Sequence, residues 1–202
     1  MNDQVWAFAR GFVAGLSIAA PVGPMGVLCL RRTLSEGRWN GLLTGLGVAT
    51  ADLCYGALAA LGVTRVAQML SDQAYWMRWG GGVFLLYLGF QTFRASPATV
   101  GAPATRAGLW GAYASALLLT LANPVTIFSF VGIFSGLLPP GSVVGSALVL
   151  VAGVFFGSAA WWLALSWAAD RLRTRLKPPA LGWINRLSGA VITLYGVMAL
   201  AR

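Results

Sequence analysis

The 202-residue sequence contains no histidine, only two cysteines and only five acidic residues. Without histidine there is no imidazole to ligate a metal or to relay a proton near neutral pH. Cys29 and Cys54 both lie in apolar runs, so they do not form the disulfide framework of a small secreted domain. Charge of either sign is scarce, at 9% of residues, where a soluble domain carries about 25%. What is abundant is apolar: 58% of the residues are hydrophobic and the mean hydropathy is +0.75. These values describe an integral membrane protein. The net charge of +9 does not indicate nucleic-acid binding, because the basic residues fall in short gaps between apolar runs, as in loops facing a cytoplasm.

At about 20 apolar residues per crossing, the chain divides into six expected spans, roughly Val5–Leu30, Gly41–Val63, Trp76–Phe93, Leu109–Leu137, Val143–Ala168 and Trp183–Ala201. Met1–Trp6 contains Asp3 and no basic residue, unlike the start of a cleaved signal peptide, so the first run is read as a retained span. No polar stretch is long enough for a second domain, and residues 1–202 are read as one transmembrane domain. Arg94–Gly108 and Asp170–Gly182 read as exposed loops. The first, third and fifth connections, with the edge of the last span, hold ten basic residues: Arg31, Arg32, Arg38, Arg94, Arg106, Arg171, Arg173, Arg175, Lys177 and Arg186. The opposite side holds four, Arg10, Arg65, Arg78 and Arg202. This imbalance places the odd connections in the cytoplasm and both termini outside.

Gly11–Leu30 is the stretch around which the chain is organised. It carries Pro21 and Pro24 in its middle, with Gly23 between them. Proline removes a backbone N–H and frees a carbonyl, which in hydrocarbon must face protein or a wet cavity. The second half repeats the feature. At an offset of 100 residues Gly11 meets Gly111, Pro24 meets Pro124, Gly41 meets Gly141, Gly45 meets Gly145 and Gly89 meets Gly189. Three spans per half is an odd number, so the halves, about 1–95 and 108–202, must lie in opposite orientations. The expected fold is all-α: six transmembrane helices in two inverted three-helix repeats, with proline-broken first and fourth helices. Paired broken helices point to a central transport site.

Two polar side chains lie deep in these spans. Asn123 precedes Pro124 and offers one acceptor and two donors; it suits contact with substrate, capping of the half-helix beginning at Pro124, or both. Asp52 is the only acid within a span, and a carboxyl at that depth is costly and by default functional. Gly41, Gly45, Ala49, Asp52, Gly56 and Ala60 share one helix face, whose small residues let helices approach closely; this turns Asp52 inward. A structural hydrogen bond is the plainer role for it. No Lys or Arg is expected near the middle of any span. An anionic substrate group would then be held by half-helix N-termini and a cationic one by Asp52. One acid beside two positive helix ends fits a zwitterion, of which an amino acid is the simplest. Most of the nine tryptophans fall at span ends as interface anchors; Trp161 and Trp162 lie deeper and read as core. Tyr55 and Tyr87 are weaker cavity candidates, and Gly80–Gly82 serves helix packing.

Taken in order, Gly15 through Pro21, Gly23 and Pro24, then Gly37, Gly41, Gly45 and Asp52, then Tyr87, Leu88, Gly89 and Arg94, then Asn123 and Pro124, the chain resembles the lysine-exporter and homoserine/threonine-efflux family of bacterial inner-membrane proteins. The resemblance covers nearly the full length. It implies a small exporter of amino acids or related metabolites, not an enzyme, without a cofactor or bound metal, driven by proton exchange. Where that family often has a lysine after the Asn-Pro pair, this chain has Val125 and Thr126, so no role transfers from that lysine. Two rival readings are a divalent-metal exporter, which needs several converging carboxylates or soft ligands, and a membrane thiol relay, which needs a cysteine beside each proline break. The substrate and the oligomeric state, a homodimer included, are not given by the sequence.

Overall fold

The computed structural model describes residues 2–20, 23–60, 73–94, 105–123, 126, 129–130, 137, 144–173 and 178–201. Among these the chain is helical throughout: α1 (Asn2–Ala19), α2 (Pro24–Glu36), α3 (Arg38–Ala60), α4 (Ala74–Arg94), α5 (Arg106–Leu121), α6 (Val144–Arg173) and α7 (Pro178–Ala201). α3, α6 from Gly145 and α7 from Gly182 are each long and apolar enough to cross a membrane, and α1 with α2 qualifies as one crossing bent by 81°.

The bend falls where Gly23 and Pro24 stand. Gly23 is the extended N-cap of α2 and Pro24 its first helical residue, the position where a missing N–H costs nothing. Pro21 lies outside the described residues. The expected span Val5–Leu30 with its proline break is thus two helices, and its end is corrected from Leu30 to Glu36, where α2 stops. It ends at Gly37, whose φ of +105° is open only to glycine without strain. The Gly37 N–H donates to the Thr33 carbonyl at 3.1 Å, and α3 starts on the next residue. Arg31 and Arg32 therefore lie on a helix, not in the first connection. The expected loop Asp170–Gly182 is likewise shortened from both ends, because α6 runs to Arg173 and α7 begins at Pro178. Most of the expected fourth span beyond Asn123, including Pro124, lies outside the described residues.

The bundle is apolar on its outside and encloses a set of polar side chains among its apolar ones. Thr33, Thr44, Asp52, Ser158, Ser166 and Asn185 are buried, while Trp6, Val13, Val83, Phe90, Phe156, Leu163, Leu187 and Leu194 are exposed, as suits a protein whose solvent is lipid. With no hydrophobic drive between helices in lipid, close van der Waals packing holds them. Gly11 and Gly15 of α1 lie against the backbone of Leu150 and Val154 on α6, and Gly153 and Gly157 of α6 answer against Phe8 and Phe12. Residue numbers rise together along this contact, so α1 and α6 run parallel. α3 and α5 also run parallel, with Gly47 against Tyr113 and Tyr55 reaching Leu121. α3 and α6 are antiparallel, Gly41 facing Ser166 and Gly45 facing Trp162. So are α4 and α7, where Gly82 faces Gly196 and Gly89 faces Gly189.

Five arginines lie over aromatic rings among the described residues: Arg38 over Trp39 at 5.1 Å, Arg78 over Tyr75 at 5.8 Å, Arg94 over Phe90 at 4.3 Å, Arg171 over Trp167 at 3.3 Å and Arg186 over Trp183 at 5.8 Å. All but Arg78 belong to the side that the charge count makes cytoplasmic. A cation on an aromatic face is stabilised by the ring quadrupole, and both groups suit the headgroup layer.

A Cβ at Gly153 would run into the Phe8 carbonyl, whereas one at Gly80 meets nothing within 4 Å. Gly153→Val is expected to destabilise the detergent-solubilised protein by about 1–3 kcal/mol through overpacking. Gly80→Ala should be neutral or stabilising by up to about 1 kcal/mol. Unfolding titrations of both variants check this.

Candidate functional site

Asp52 sits midway along α3 on the face of small residues. Gly41, Gly45, Ala49 and Gly56 are buried with it, and only 1% of Asp52 is exposed. A carboxyl removed from water needs a donor, and Ser158 of α6 supplies one: its hydroxyl donates to Asp52 Oδ2 at 2.7 Å. The site is therefore made where two helices cross closely enough for a serine to reach a short acid.

Trp162 lies one turn further along α6. It is 3% exposed and packs with Ala19 at the end of α1, Cys29 of α2, and Val48 and Ala49 of α3. Its indole nitrogen is buried without a hydrogen-bond partner. A donor left in that state carries a desolvation penalty, and it stands beside the α1–α2 break. Cys29 is also packed here, its thiol near the Gly41 carbonyl at 3.4 Å and Ser166 Oγ at 3.6 Å.

One turn on from Asp52, the Tyr55 hydroxyl donates to the Leu121 carbonyl at the end of α5, and its ring lies 6.0 Å from that of Phe130. Asn123 follows. Its N–H donates to the Thr120 carbonyl and its own carbonyl accepts from the Thr126 N–H, both at 3.1 Å. Asn123 thus ends one helix and opens the next turn through its backbone.

Arg32 was not foreseen. The expectation that Arg32 lies in an exposed connection is corrected: it is on α2 and only 7% exposed. Its charge is spread over neutral oxygens. Nη1 donates to Thr44 Oγ1 and the Ala112 carbonyl, both at 3.0 Å, and Nη2 to Ser115 Oγ at 2.9 Å. These bonds tie α2 to α3 and α5. Arg31 beside it donates to Glu36 Oε1 and to Asn185 Oδ1, and Ser35 donates to the same Asn185 oxygen at 2.6 Å. Arg32 and the Arg31–Glu36 pair line a cavity of about 400 Å³ between α2, α4 and α5.

Of the residues singled out by sequence, Asp52 is buried in the bundle, Gly23 and Pro24 form the start of α2, and Asn123 stands at the end of α5. Pro21 and Pro124 lie outside the described residues. Tyr87 lines the Arg32 cavity. Ser158 was missed because a lone serine in an apolar run has no periodic signature. Among the described residues no three His, Cys, Asp or Glu side chains converge as metal ligands.

Among the described residues the bundle has a bent first crossing and one buried acid, Asp52. The model of the LysE type translocator family matches residues 16–202. The chain belongs to this family. It is 25% identical over 195 residues to the putative amino acid efflux protein YcgF of Bacillus subtilis, covering 94% of this chain and 92% of that one. It is 27% identical over 198 residues to the arginine exporter protein ArgO of Salmonella typhimurium, covering 93% and 90%. It is 30% identical over 176 residues to the uncharacterized membrane protein YahN of Escherichia coli, covering 85% and 77%. No solved structure matches. As a LysE type translocator the chain is a multi-pass bacterial membrane protein of a family of transporters.

Removing the Ser158 hydroxyl leaves the Asp52 carboxyl buried with one donor fewer. Ser158→Ala is expected to destabilise the protein by about 1–3 kcal/mol, whereas Ser17→Ala, which removes an exposed bond to the Val13 carbonyl, should change stability by less than about 0.5 kcal/mol. Thermal unfolding in detergent measures the contrast.

Proposed function

We propose that this LysE type translocator exports amino acids or related small zwitterions from the cytoplasm across the inner membrane, in exchange for protons. Asp52 is the group that takes the proton from one side and the substrate ammonium from the other. The observation that carries this is its burial at the α3–α6 contact with Ser158 as its hydrogen-bond partner. A carboxyl kept dry is useful to a transporter because it cannot stay ionised without a counter-cation, which couples the two ligands. The amide-rich start of α2 after Gly23 and Pro24, the backbone turn at Asn123, and the expected partners Pro21 and Pro124 supply the pole for the carboxylate. The unpartnered indole N–H of Trp162 beside the break is a further donor for it. The names of the relatives, amino acid efflux protein and arginine exporter protein, agree with this substrate class.

Six crossings in two inverted repeats form the architecture of this proposal. Supporting it, α4 and α7 meet reciprocally at the offset of 100 residues: Gly89 faces Gly189, Gly89 also faces Thr193, and Gly189 faces Phe93. Exchanging the two halves turns one of these contacts into the other. The parallel α1–α6 and α3–α5 contacts are exchanged in the same way, and each helix direction agrees with alternate crossings.

Two measurements test the proposal. Cells producing the protein should deplete at least one amino acid inside and enrich it outside. Cells producing Asp52→Asn at equal membrane levels should lose at least nine-tenths of that flux, roughly the cost of deleting a group that acts in the transport step. Wild-type flux in Asp52→Asn would remove Asp52 from the mechanism. Separately, a reporter fused after Arg106 should read cytoplasmic and one after Arg202 external; the reverse at both positions would invert the orientation.

A further inference from the structure

The proposed exchange leaves Arg32 unused, although it is a charged group more than nine-tenths buried. Its partners are neutral oxygens of Thr44, Ala112 and Ser115, so no anion offsets it directly. The cavity beside it holds two guanidinium groups, Arg31 and Arg32, and one carboxylate, Glu36, hence a net single positive charge. Glu36 is engaged by Arg31. The remaining positive charge sits in a space of about 400 Å³, within the range of about 300–1,000 Å³ usual for small-molecule sites. The first turns of α5 add to it: Gly108 and Gly111 line the same cavity, near the positive end of the helix dipole. Leu28, Phe84 and Leu88 make an apolar wall and Gln91 a polar one.

We infer that this cavity is a loading site in which Arg32 receives the carboxylate of the exported amino acid while Glu36 receives its ammonium, before the substrate moves to Asp52. The inference rests on the amino-acid reading above and adds a second, separate station to it. Thr44, which Arg32 holds, and Asp52 are both on α3, about 12 Å apart at 1.5 Å per residue, so one small amino acid does not bridge them. Asn185 gives Arg31 a second acceptor, at 3.3 Å from Nε, and this bond keeps Arg31 in place when Glu36 turns to the ammonium. The cavity lies at the end of the bundle where Arg94 closes α4 and Arg106 opens α5, the end that the charge imbalance assigns to the cytoplasm and from which an exporter must load.

The test titrates purified protein in detergent with each of the twenty standard L-amino acids and with the matching carboxamides, which keep the ammonium and side chain but lose the carboxylate. Binding is read from the shift in unfolding temperature. Wild-type protein is expected to prefer at least one amino acid over its amide by about tenfold or more, the usual scale for a charged hydrogen-bonded contact. Arg32→Gln should lower that preference by about threefold or more while leaving amide binding within about twofold of wild type; the part that remains belongs to the pole at the start of α2. Because Arg32 also ties three helices together, Gly111→Glu provides a second arm. A Cβ there meets nothing within 4 Å, and the Gly111 carbonyl accepts from the Ser115 hydroxyl that Arg32 binds, so the new carboxylate competes for the same place with Arg32 intact. The same fall in preference in Gly111→Glu supports the site even where Arg32→Gln does not fold. Retention of the wild-type preference in a folded Arg32→Gln, or in Gly111→Glu, overturns the loading site and leaves amino-acid recognition standing. A wild-type protein that binds none of the twenty overturns both readings.

Discussion

The hydrogen bond from Ser158 to Asp52 sets the terms for the rest of the bundle. In hydrocarbon there is no water to satisfy a carboxyl, so the acid must be enclosed by protein and met by a donor. Enclosure requires α3 and α6 to approach closely, and that requires glycine and alanine where they cross. Gly45 admits the Trp162 ring and Gly41 admits Ser166 and Thr33, so neither position tolerates a larger residue without displacing a helix. The same economy appears at α1 and α6, where four glycines bring two backbones into contact. Small residues in this protein are the means by which polar ones are kept away from lipid.

The second constraint is the path of the chain between α1 and α3. Gly23 and Pro24 allow a new helix to begin, and Gly37 allows it to end and reverse at once. Between them α2 is long enough to carry Cys29, Arg32 and Ser35 into the bundle. Each is met by a partner from another helix: Ser166 for Cys29, Thr44 and Ser115 for Arg32, Asn185 for Ser35. α2 therefore acts as a polar strut, contacting α3, α6 and α7, rather than as the second half of a straight crossing.

The sequence made the membrane class, the break at Gly23–Pro24 and the inward face of Asp52 readable, because scarcity of charge, proline chemistry and a four- and three-residue repeat of small side chains are local signals. The partner of Asp52 was not readable, since Ser158 reaches it across 106 residues and one serine in an apolar run looks like any other. Arg32 was misplaced for a different reason. Hydropathy ends a span at the first paired charges, and Arg31-Arg32 looked like a loop; Gly37, five residues past Arg32, was the helix-stop signal that placed both on a helix. The offset of 100 residues was visible as matched glycines and gains weight from a contact, Gly89 against Gly189, that composition does not supply.

The account is tested most directly in proteoliposomes loaded with a transported amino acid, by comparing two modes of transport in wild type and Asp52→Asn. Amino-acid/amino-acid exchange needs the substrate path but no net proton movement, whereas uphill flux driven by an imposed pH gradient needs both. If Asp52 is where the proton and the ammonium alternate, wild-type protein performs both modes and Asp52→Asn shows no pH-driven flux, whatever exchange it keeps. Uphill, pH-driven flux through Asp52→Asn at the wild-type rate would contradict the account, because the proton would then be crossing elsewhere.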